Sequence, residues 1–296
     1  MGTLEKEQFR EAVRNTYGKV ARAGVSAPGI GLSTSCCSPP DNSLETAPVS
    51  SCSCGEPGLS AEQMSTTMGY SNKDLDGVPE GANMGLGCGN PVAVASLKPG
   101  ETVVDLGSGG GFDCFLAARQ VEKTGRVIGV DMTPEMISKA RKNAEAAKTG
   151  NVEFRLGEIE HLPVADNSAD IVMSNCVINL SPDKQGVYRD AFRVLKPGGR
   201  LSISDVLATA PLPAKIRNDL GLVGACIGGA ATIEDTEEML EQAGFTDIRI
   251  APKDYSRELI RQWDPDKSKE ILDYVVSATI EAVKPAAAHS ESSCCC

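Results

Sequence analysis

The chain has 296 residues, of which 41% are hydrophobic and 4% aromatic, so we expect an aliphatic core large enough for one α/β domain with an appendage. The 40 acidic residues outnumber the 29 basic ones, and the net charge of −11 argues against binding to nucleic acid or to an anionic membrane. The first residues are not an apolar leader and no apolar run is long enough to span a bilayer, so a cytoplasmic location is expected.

The N-terminal region, residues 1–80, is predicted to be a helix followed by a flexible segment. Apolar residues recur at helical spacing between charged ones over residues 4–22, which indicates an amphipathic helix. Residues 23–60 are rich in Gly, Ser and Pro, a composition typical of a linker. Four of the 11 cysteines lie in this linker: Cys36, Cys37, Cys52 and Cys54.

A regular alternation of strands and helices is predicted within residues 81–206. β-Branched runs indicate strands at 102–107, 126–131, 152–158, 169–177 and 199–206. Helical patterns lie near 113–122, 134–147 and 185–195. Strands that alternate with helices imply right-handed βαβ crossovers, so the sequence predicts an α/β fold with a mostly parallel sheet.

The regular alternation of strands and helices ends at residue 206, and we expect residues 207–284 to form a C-terminal capping region. Residues 212–245 look helical around a glycine-rich break, and residues 246–253 resemble an edge strand. A final amphipathic helix is predicted over residues 267–283 because its apolar side chains fit a helical stripe. Residues 285–296, which end in three cysteines, are predicted to be a disordered tail.

A glycine loop, residues 107–111, directly follows the first predicted strand. Glycines there let the backbone approach a ligand, and Asp131 at the end of the next strand stands where a ribose partner is expected. A dinucleotide fingerprint would require glycine at Phe112, and Asp105 would repel a pyrophosphate. Because S-adenosylmethionine carries an ammonium and a sulfonium, the loop favours it over a nicotinamide cofactor; a structural turn without ligand is the remaining alternative.

Three isolated cysteines stand where they could meet at the ligand-binding edge of the sheet. Cys176 lies near the carboxyl end of a predicted strand, Cys226 lies in the glycine-rich break, and Cys88 lies in a glycine-rich segment before the core. Single cysteines are commonly small buried hydrophobes. Thiolates that converge would instead bind a thiophilic ion. Zinc is the competing ion, although structural zinc sites favour closely spaced cysteine pairs.

Several stretches resemble the bacterial and archaeal arsenite methyltransferases, over about residues 10–245. They are YGKVA (17–21), GANMGLGCGNP (81–91), VVDLGSGGGFDCFLAA (103–118), VIGVDMTPEM (127–136), FRLGEIEHLPV (154–164), SNCVINLSPDK (174–184), RVLKPGGRLSISDV (193–206) and GACIGGA (224–230). The glycine loop and KPGG occur in many methyltransferases, whereas GLGCG, SNCVINLSPDK and GACIGGA together are more specific. The resemblance implies a Rossmann-like class I methyltransferase fold and S-adenosylmethionine as cofactor.

The same resemblance implies an activity and residue roles. The activity is methylation of trivalent arsenic for detoxification, by a monomer that accepts arsenite or its thiol adducts and uses thioredoxin or glutathione as reductant. Cys176 and Cys226 match the arsenic-binding cysteines, and Cys88 matches a relay cysteine that completes a three-thiolate arsenic site. The matched cofactor-binding positions are Asp105, Gly107, Gly109, Gly111, Asp131, Met132 and Ile159, and Asn175 is a further candidate.

A fourth catalytic cysteine is implied N-terminal to the others. Counting from Tyr17 favours Cys36 or Cys37, of which Cys37 is our candidate, whereas counting back from Cys88 favours Cys54 or a neighbour. Two other functions remain open at this point. A carbon or oxygen methyltransferase for a small molecule would use the same core, and a non-catalytic metalloid buffer would use the clustered cysteines without the cofactor.

Overall fold

A computed structural model describes residues 3–23, 60–217, 219–253 and 271–286. The linker cysteines, including the candidate Cys37, and the cysteine-rich tail lie outside the described residues. Within these ranges, no helix combines the length and the apolar character needed to cross a membrane.

The core is a seven-stranded sheet with the order β3-β2-β1-β4-β5-β7-β6. The strands are β1 (Thr102–Leu106), β2 (Arg126–Asp131), β3 (Val152–Leu156), β4 (Ala169–Asn175), β5 (Leu195–Ala208), β6 (Thr246–Pro252) and β7 (Val275–Val283). The pairs from β3 to β5 are parallel, and β7 is antiparallel to both β5 and β6. The predicted α/β fold with a mostly parallel sheet is therefore confirmed.

Helices cover both faces of this sheet. They are α1 (Thr3–Ala23), α2 (Ala61–Thr67), α3 (Asn72–Leu75), α4 (Pro91–Val94), α5 (Phe112–Gln120), α6 (Pro134–Ala147), α7 (Lys184–Val194), α8 (Ala214–Arg217), α9 (Leu220–Gly224) and α10 (Ile233–Ala243), with a 3₁₀ turn at Ile178–Leu180. Successive residues of β1 point to opposite faces, so Val103 packs in one apolar cluster with α5 and Val104 packs in another with α7 and α10.

The strand order reverses between β1 and β4, and this position determines where a ligand can bind. The chain leaves β1 toward β2 on one side and leaves β4 toward β5 on the other, so a crevice opens beyond their carboxyl ends. The glycine loop follows β1 and Cys176 follows β4. The fold therefore brings these two predicted sites to the same crevice.

The prediction of a final helix over residues 267–283 is wrong, because β7 occupies Val275–Val283. This strand lies between β5 and β6 and is buried on both faces over much of its length, so its apolar residues need not alternate. The edge strand predicted at 246–253 is confirmed as β6. Residues 207–284 thus contribute two strands to the core sheet in addition to helices α8 to α10.

Candidate active site

A cavity of about 540 Å³ lies beyond the carboxyl ends of β1 and β4. That volume is in the usual range for a small-molecule site. Its lining includes much of the glycine loop on one side and two of the predicted thiols, Cys176 and Cys226, on another. Helix α1 forms part of the wall with Arg10 and Tyr17.

The glycine loop adopts a backbone that side chains would disturb. Gly107 and Gly111 have φ angles of 68° and 93°, in the left-handed region. A Cβ atom at Gly107 would lie 2.4 Å from Val177, and one at Gly111 would lie 2.7 Å from the Phe154 ring. Gly107 lines the cavity, whereas Gly111 allows α5 to pack closely against β3. The predicted cofactor role of Gly111 is thus indirect in this structure.

Three buried or partly buried carboxylates line the cavity: Asp105, Asp113 and Asp131. Burial raises the pKa of Asp105 well above its ordinary value, and it raises the pKa of Asp113 to about 6. Asp131 accepts hydrogen bonds from the backbone N–H groups of Gly109 and Thr133, at 3.0 and 2.8 Å. An acidic cavity of this size fits the cationic S-adenosylmethionine better than an anionic dinucleotide.

The three predicted thiols lie close together; we call Cys88, Cys176 and Cys226 the thiol cluster. The sulfurs of Cys88 and Cys176 and a carboxylate oxygen of Asp205 all lie within 4.8 Å of one another. The Cys226 thiol donates a 2.6 Å hydrogen bond to the carbonyl of Cys176. Cys176 and Cys226 line the cavity, and Cys88 lies behind them with no exposed surface.

Burial and mutual contact raise the pKa of two of these thiols, Cys88 and Cys176. Burial raises the pKa of Cys88. Hydrogen bonding to Cys226 and then to Cys88, together with burial, raises the pKa of Cys176 well above its ordinary value. Cys88 and Cys176 are therefore S–H groups in the absence of a thiophilic ligand.

Neither cavity-lining cysteine has an ordinary backbone conformation. Cys176 and Cys226 have φ angles of 59° and 63°, which are uncommon for residues other than glycine. The buried amide of Asn179 donates to the carbonyl of Cys226 at 2.9 Å and to Asp205 at 3.0 Å. Asn179 thus ties the segment after α9 to the end of β5.

Cys88 is held by two side chains from distant parts of the sequence. Its N–H donates to Asn175 Oδ1 at 3.0 Å, and its carbonyl accepts from Ser277 Oγ at 2.7 Å. The Asn175 amide nitrogen lies 2.8 Å from the carbonyl of Gly89 and 3.1 Å from Asp113 Oδ2. Asn175, predicted as a cofactor contact, does line the cavity, but its amide is bonded to protein groups that position Cys88.

Helix α1 is fixed across the cavity by polar contacts. Arg10 pairs with Glu160 at 3.1 Å and with Glu158 at 3.4 Å. The hydroxyl of Tyr17 donates to the carbonyl of Gly224 at 3.1 Å, close to Cys226. These contacts hold α1 against the cavity, with Tyr17 beside the segment that carries Cys226.

Comparison with known proteins agrees with this geometry. Residues 97–244, half of the chain, match a family model described as a methyltransferase domain. An arsenite methyltransferase from Halobacterium salinarum is 51% identical over 282 residues, which are 95% of this chain and 68% of that protein. The chain belongs to the arsenite methyltransferase family. The relative from Aquipseudomonas alcaligenes is 46% identical over 58% of this chain and 51% of its own length, and the human relative is 41% identical over 50% and 42%.

Solved structures of methyltransferases are similar in fold to this chain. An arsenic (III) S-adenosylmethionine methyltransferase from Chlamydomonas reinhardtii has a TM-score of 0.55 and 32% identity, and the match covers 77% of this chain and 74% of that one. A phosphoethanolamine N-methyltransferase from Haemonchus contortus has a TM-score of 0.57 at 21% identity over 67% and 54%, which supports the fold alone. The chain spans about half the length of the bacterial and human relatives named above. It is an S-adenosylmethionine-dependent enzyme with the class I methyltransferase fold.

The structure brings most of the predicted site residues of the family to one cavity. Those that line it are Asp105, Gly107, Gly109, Asp131, Met132, Ile159, Asn175, Cys176 and Cys226. Sequence reasoning did not single out Asp113, Asn179 or Asp205. Asn179 and Asp205 lie inside motifs that carried the resemblance, SNCVINLSPDK and SISDV, and a polar residue in such an apolar run is a signal that could have identified them.

Proposed function

We propose that this chain methylates trivalent arsenic that is held by the thiol cluster, using S-adenosylmethionine as methyl donor. The observation that carries the proposal is the meeting of Cys88, Cys176 and Cys226 beside a cavity that the glycine loop also lines. Membership of the arsenite methyltransferase family supports it. Soft sulfur ligands suit arsenic, and a nitrogen or oxygen substrate would need no buried thiols.

Capture of arsenite needs no separate base. Arsenite is the neutral acid As(OH)₃ near pH 7, and three S–H groups replace its three hydroxyls. Three As–S bonds form, and each thiol proton leaves with a hydroxyl as water. The raised pKa values of Cys88 and Cys176 suit this exchange, because the cluster offers protons together with sulfur.

The chain's own residues then position the reacting groups. S-adenosylmethionine supplies an electrophilic methyl group on a sulfonium. Asp105, Asp131 and the glycine loop would hold the cofactor at its end of the cavity, and the thiol cluster would hold the arsenic with its lone pair toward the methyl group. The transition state of this transfer disperses the positive charge of the sulfonium between sulfur and arsenic, and a site with little water favours such a step. Met132 and Ile159 would border the adenine.

Methylation formally oxidises arsenic to the pentavalent state, so two electrons must return. A free thiol returns them when it attacks the arsenic-bound sulfur of Cys88: an S–S bond forms, the As–S bond breaks with its electron pair left on arsenic, and the attacking thiol loses one proton. We propose Cys88 and an N-terminal cysteine, with Cys37 as the candidate, for this disulfide. Thioredoxin or glutathione would restore the thiols by exchange. Cys88 lies behind the other two sulfurs, so it can release arsenic while they retain it.

We place this activity in the cytoplasm, in a monomer that binds neither nucleic acid nor membrane. The acidic charge of −11 supports the last two points. Residues 81–206 would bind the cofactor, and residues 207–284 would complete the arsenic site with Cys226. Residues 1–80 would contribute α1 and the N-terminal cysteine, and residues 285–296 would be an accessory tail.

The test counts the sulfur atoms around bound arsenic. X-ray absorption at the arsenic edge should give three sulfurs for the unaltered protein, and two for Cys176→Ser or Cys226→Ser. Arsenite methylation should fall by at least the roughly 10- to 100-fold that loss of an outer-shell partner causes, since each substitution removes a direct ligand. Replacement of Cys294, Cys295 and Cys296 with serine is the control and should leave the count at three. Turnover near that of the unaltered protein in either single variant would refute the proposal.

Calorimetry and product analysis separate the rival functions. A metalloid buffer would bind arsenite without affinity for S-adenosylmethionine in calorimetry. A carbon or oxygen methyltransferase would bind the cofactor but lose nothing when Cys226 becomes serine. Product analysis after arsenite, cofactor and thiol are mixed with the pure protein decides directly between these outcomes.

A further inference from the structure

A buried carboxylate stands beside the thiol cluster without a part in the proposed reaction. An oxygen of Asp205 lies within 4.8 Å of the sulfurs of both Cys88 and Cys176, and the three residues are at most 7% exposed. Three thiols already satisfy trivalent arsenic. Arsenic binding therefore does not explain why a carboxylate lies at this position.

The hydrogen bonds of Asp205 fix its carboxylate and leave it with acceptor capacity. Oδ1 accepts from the N–H of Val206 at 2.7 Å and from Asn179 at 3.0 Å, and Oδ2 accepts from the N–H of Ile178 at 2.9 Å. A carboxylate has about four lone-pair positions, and these bonds use three of them. The carboxylate is thus oriented by the protein, with one lone pair of Oδ2 left for a ligand.

Two sulfurs and one carboxylate oxygen are a suitable donor set for a thiophilic divalent cation. Zinc binds sulfur at about 2.3 Å and carboxylate oxygen at about 2.0–2.2 Å, so tetrahedral donors lie about 3.5–3.8 Å apart. The donors of Cys88, Cys176 and Asp205 are within 4.8 Å of one another, so side-chain shifts of about an ångström would close the site. Cys226 or water can fill the fourth position.

We propose that the thiol cluster also binds a thiophilic divalent cation such as Zn²⁺ or Cd²⁺, through Cys88, Cys176 and Asp205, and that this cation excludes arsenic. The cation displaces the two thiol protons to solvent, and two thiolates with one carboxylate then surround it. Arsenic(III) instead uses Cys226 as its third strong ligand. Asp205 therefore favours the divalent cation, and Cys226 favours arsenic. The exclusion of arsenic rests on the proposed function, whereas the cation site does not.

The experiment uses Cd²⁺ as the probe and a full-length parent in which the cysteines outside the site cannot bind it. Serine replaces these cysteines in the parent: Cys36, Cys37, Cys52, Cys54, Cys114, Cys294, Cys295 and Cys296. Titration followed by thiolate-to-cadmium absorption should give one Cd²⁺ per chain. X-ray absorption at the cadmium edge should give two or three sulfurs with at least one oxygen, and arsenite in the same parent should give three sulfurs and no oxygen. A cadmium shell of sulfur alone would overturn the proposal.

The deciding variant is Asp205→Asn in that parent. We expect Cd²⁺ affinity to fall at least about tenfold, with loss of the oxygen shell, and arsenite affinity to fall by a smaller factor, since arsenic loses no ligand and is affected only through the bonds of Asp205 to Ile178 and Asn179. Asp247→Asn, which removes an exposed carboxylate from β6, is the matched control and should change neither affinity. Equal loss of Cd²⁺ affinity in both variants, or no loss in Asp205→Asn, would contradict the assignment.

Two further measurements distinguish a failure of the proposed cation site from a failure of the proposed function. If Asp205→Asn does not fold, the cadmium shell of the parent decides, because it reports the oxygen donor without a substitution at the site. Bound Cd²⁺ should raise the apparent dissociation constant for arsenite in proportion to its concentration. Arsenite that fails to bind through three sulfurs would refute the proposed function and leave the cation site standing. Arsenite that binds equally well in the presence of Cd²⁺ would refute the competition.

Discussion

Replacing Asn175 with alanine should destabilise the protein and impair methylation more than it weakens cofactor binding. The Asn175 side chain accepts from the N–H of Cys88 at 3.0 Å and donates to the carbonyl of Gly89 at 2.8 Å. Both backbone groups belong to buried residues. A buried polar group that loses its partner costs about 1–3 kcal/mol, so the two together predict a loss of about 2–6 kcal/mol.

The assay is urea denaturation at constant pH, with the free energy of unfolding extrapolated to water. Asn175→Asp is the matched variant, since it keeps an acceptor for Cys88 but loses the donor to Gly89 and sets a second carboxylate beside Asp113. We expect a loss for this variant too. A change below about 0.5 kcal/mol in Asn175→Ala, the size typical of an ordinary surface substitution, would refute the reasoning.

Kinetics separate the two roles that Asn175 could have. If its amide positions Cys88, the alanine variant should show slower arsenite methylation, and the dissociation constant for S-adenosylmethionine should change by less than about threefold, or about 0.65 kcal/mol. If the amide holds the cofactor, that dissociation constant should rise by about tenfold, since a lost hydrogen bond is worth about 1–1.5 kcal/mol. Calorimetry with the cofactor alone distinguishes these outcomes without a turnover assay.

Three other predictions follow from contacts in the structure. Gly107→Ala should lower cofactor affinity by about tenfold or more, because its Cβ would lie 2.4 Å from Val177. Adding Val177→Ala should recover only part of the lost affinity, since the φ angle of residue 107 stays at 68°. Cofactor affinity measured from pH 8 downward should fall as the pH passes below about 6, where the Asp113 carboxyl takes up a proton, and Asp113→Asn should flatten that decline. Lys284→Met should reduce the free energy of unfolding by about 1.5–3 kcal/mol, because the ammonium donates to the carbonyl of Phe192 and to two further oxygens; an unchanged urea midpoint would contradict this.

The parallel half of the fold was predictable because its signals are local. β-Branched runs end at glycines or helix starts, as at Thr133 and Pro134, and each strand from β1 to β4 lies within three residues of its predicted range. The strand β7 was mistaken for a helix because the spacing of Val275, Val276, Ile280 and Val283 also fits a helical stripe. The β-branched run was the better signal, but burial between β5 and β6 is a tertiary property that spacing does not report.

The site was predictable to the extent that its chemistry resides in rare residue types. Cysteines at the ends of predicted elements stand out, and the topology of a doubly wound sheet brings Cys176 to the glycine loop. Asp205 could not be placed in the same way. Its proximity to Cys88 depends on a loop bonded to Ser277 on β7, the strand that the sequence did not predict. The carboxylate beside the thiol cluster therefore became evident only in three dimensions.

Backbone conformation gives an independent reason to regard the cavity-lining thiols as functional. A left-handed φ at a residue other than glycine costs about 1–3 kcal/mol, and Cys176 and Cys226 both have one. Glycine would remove that strain, and glycines are abundant around Cys226 in GACIGGA. A cysteine at a position where glycine is conformationally easier is understandable if the sulfur itself is required. The hydrogen bonds from Asn179 to Cys226 and from the Cys226 thiol to the carbonyl of Cys176 hold these two residues in contact beside the cavity.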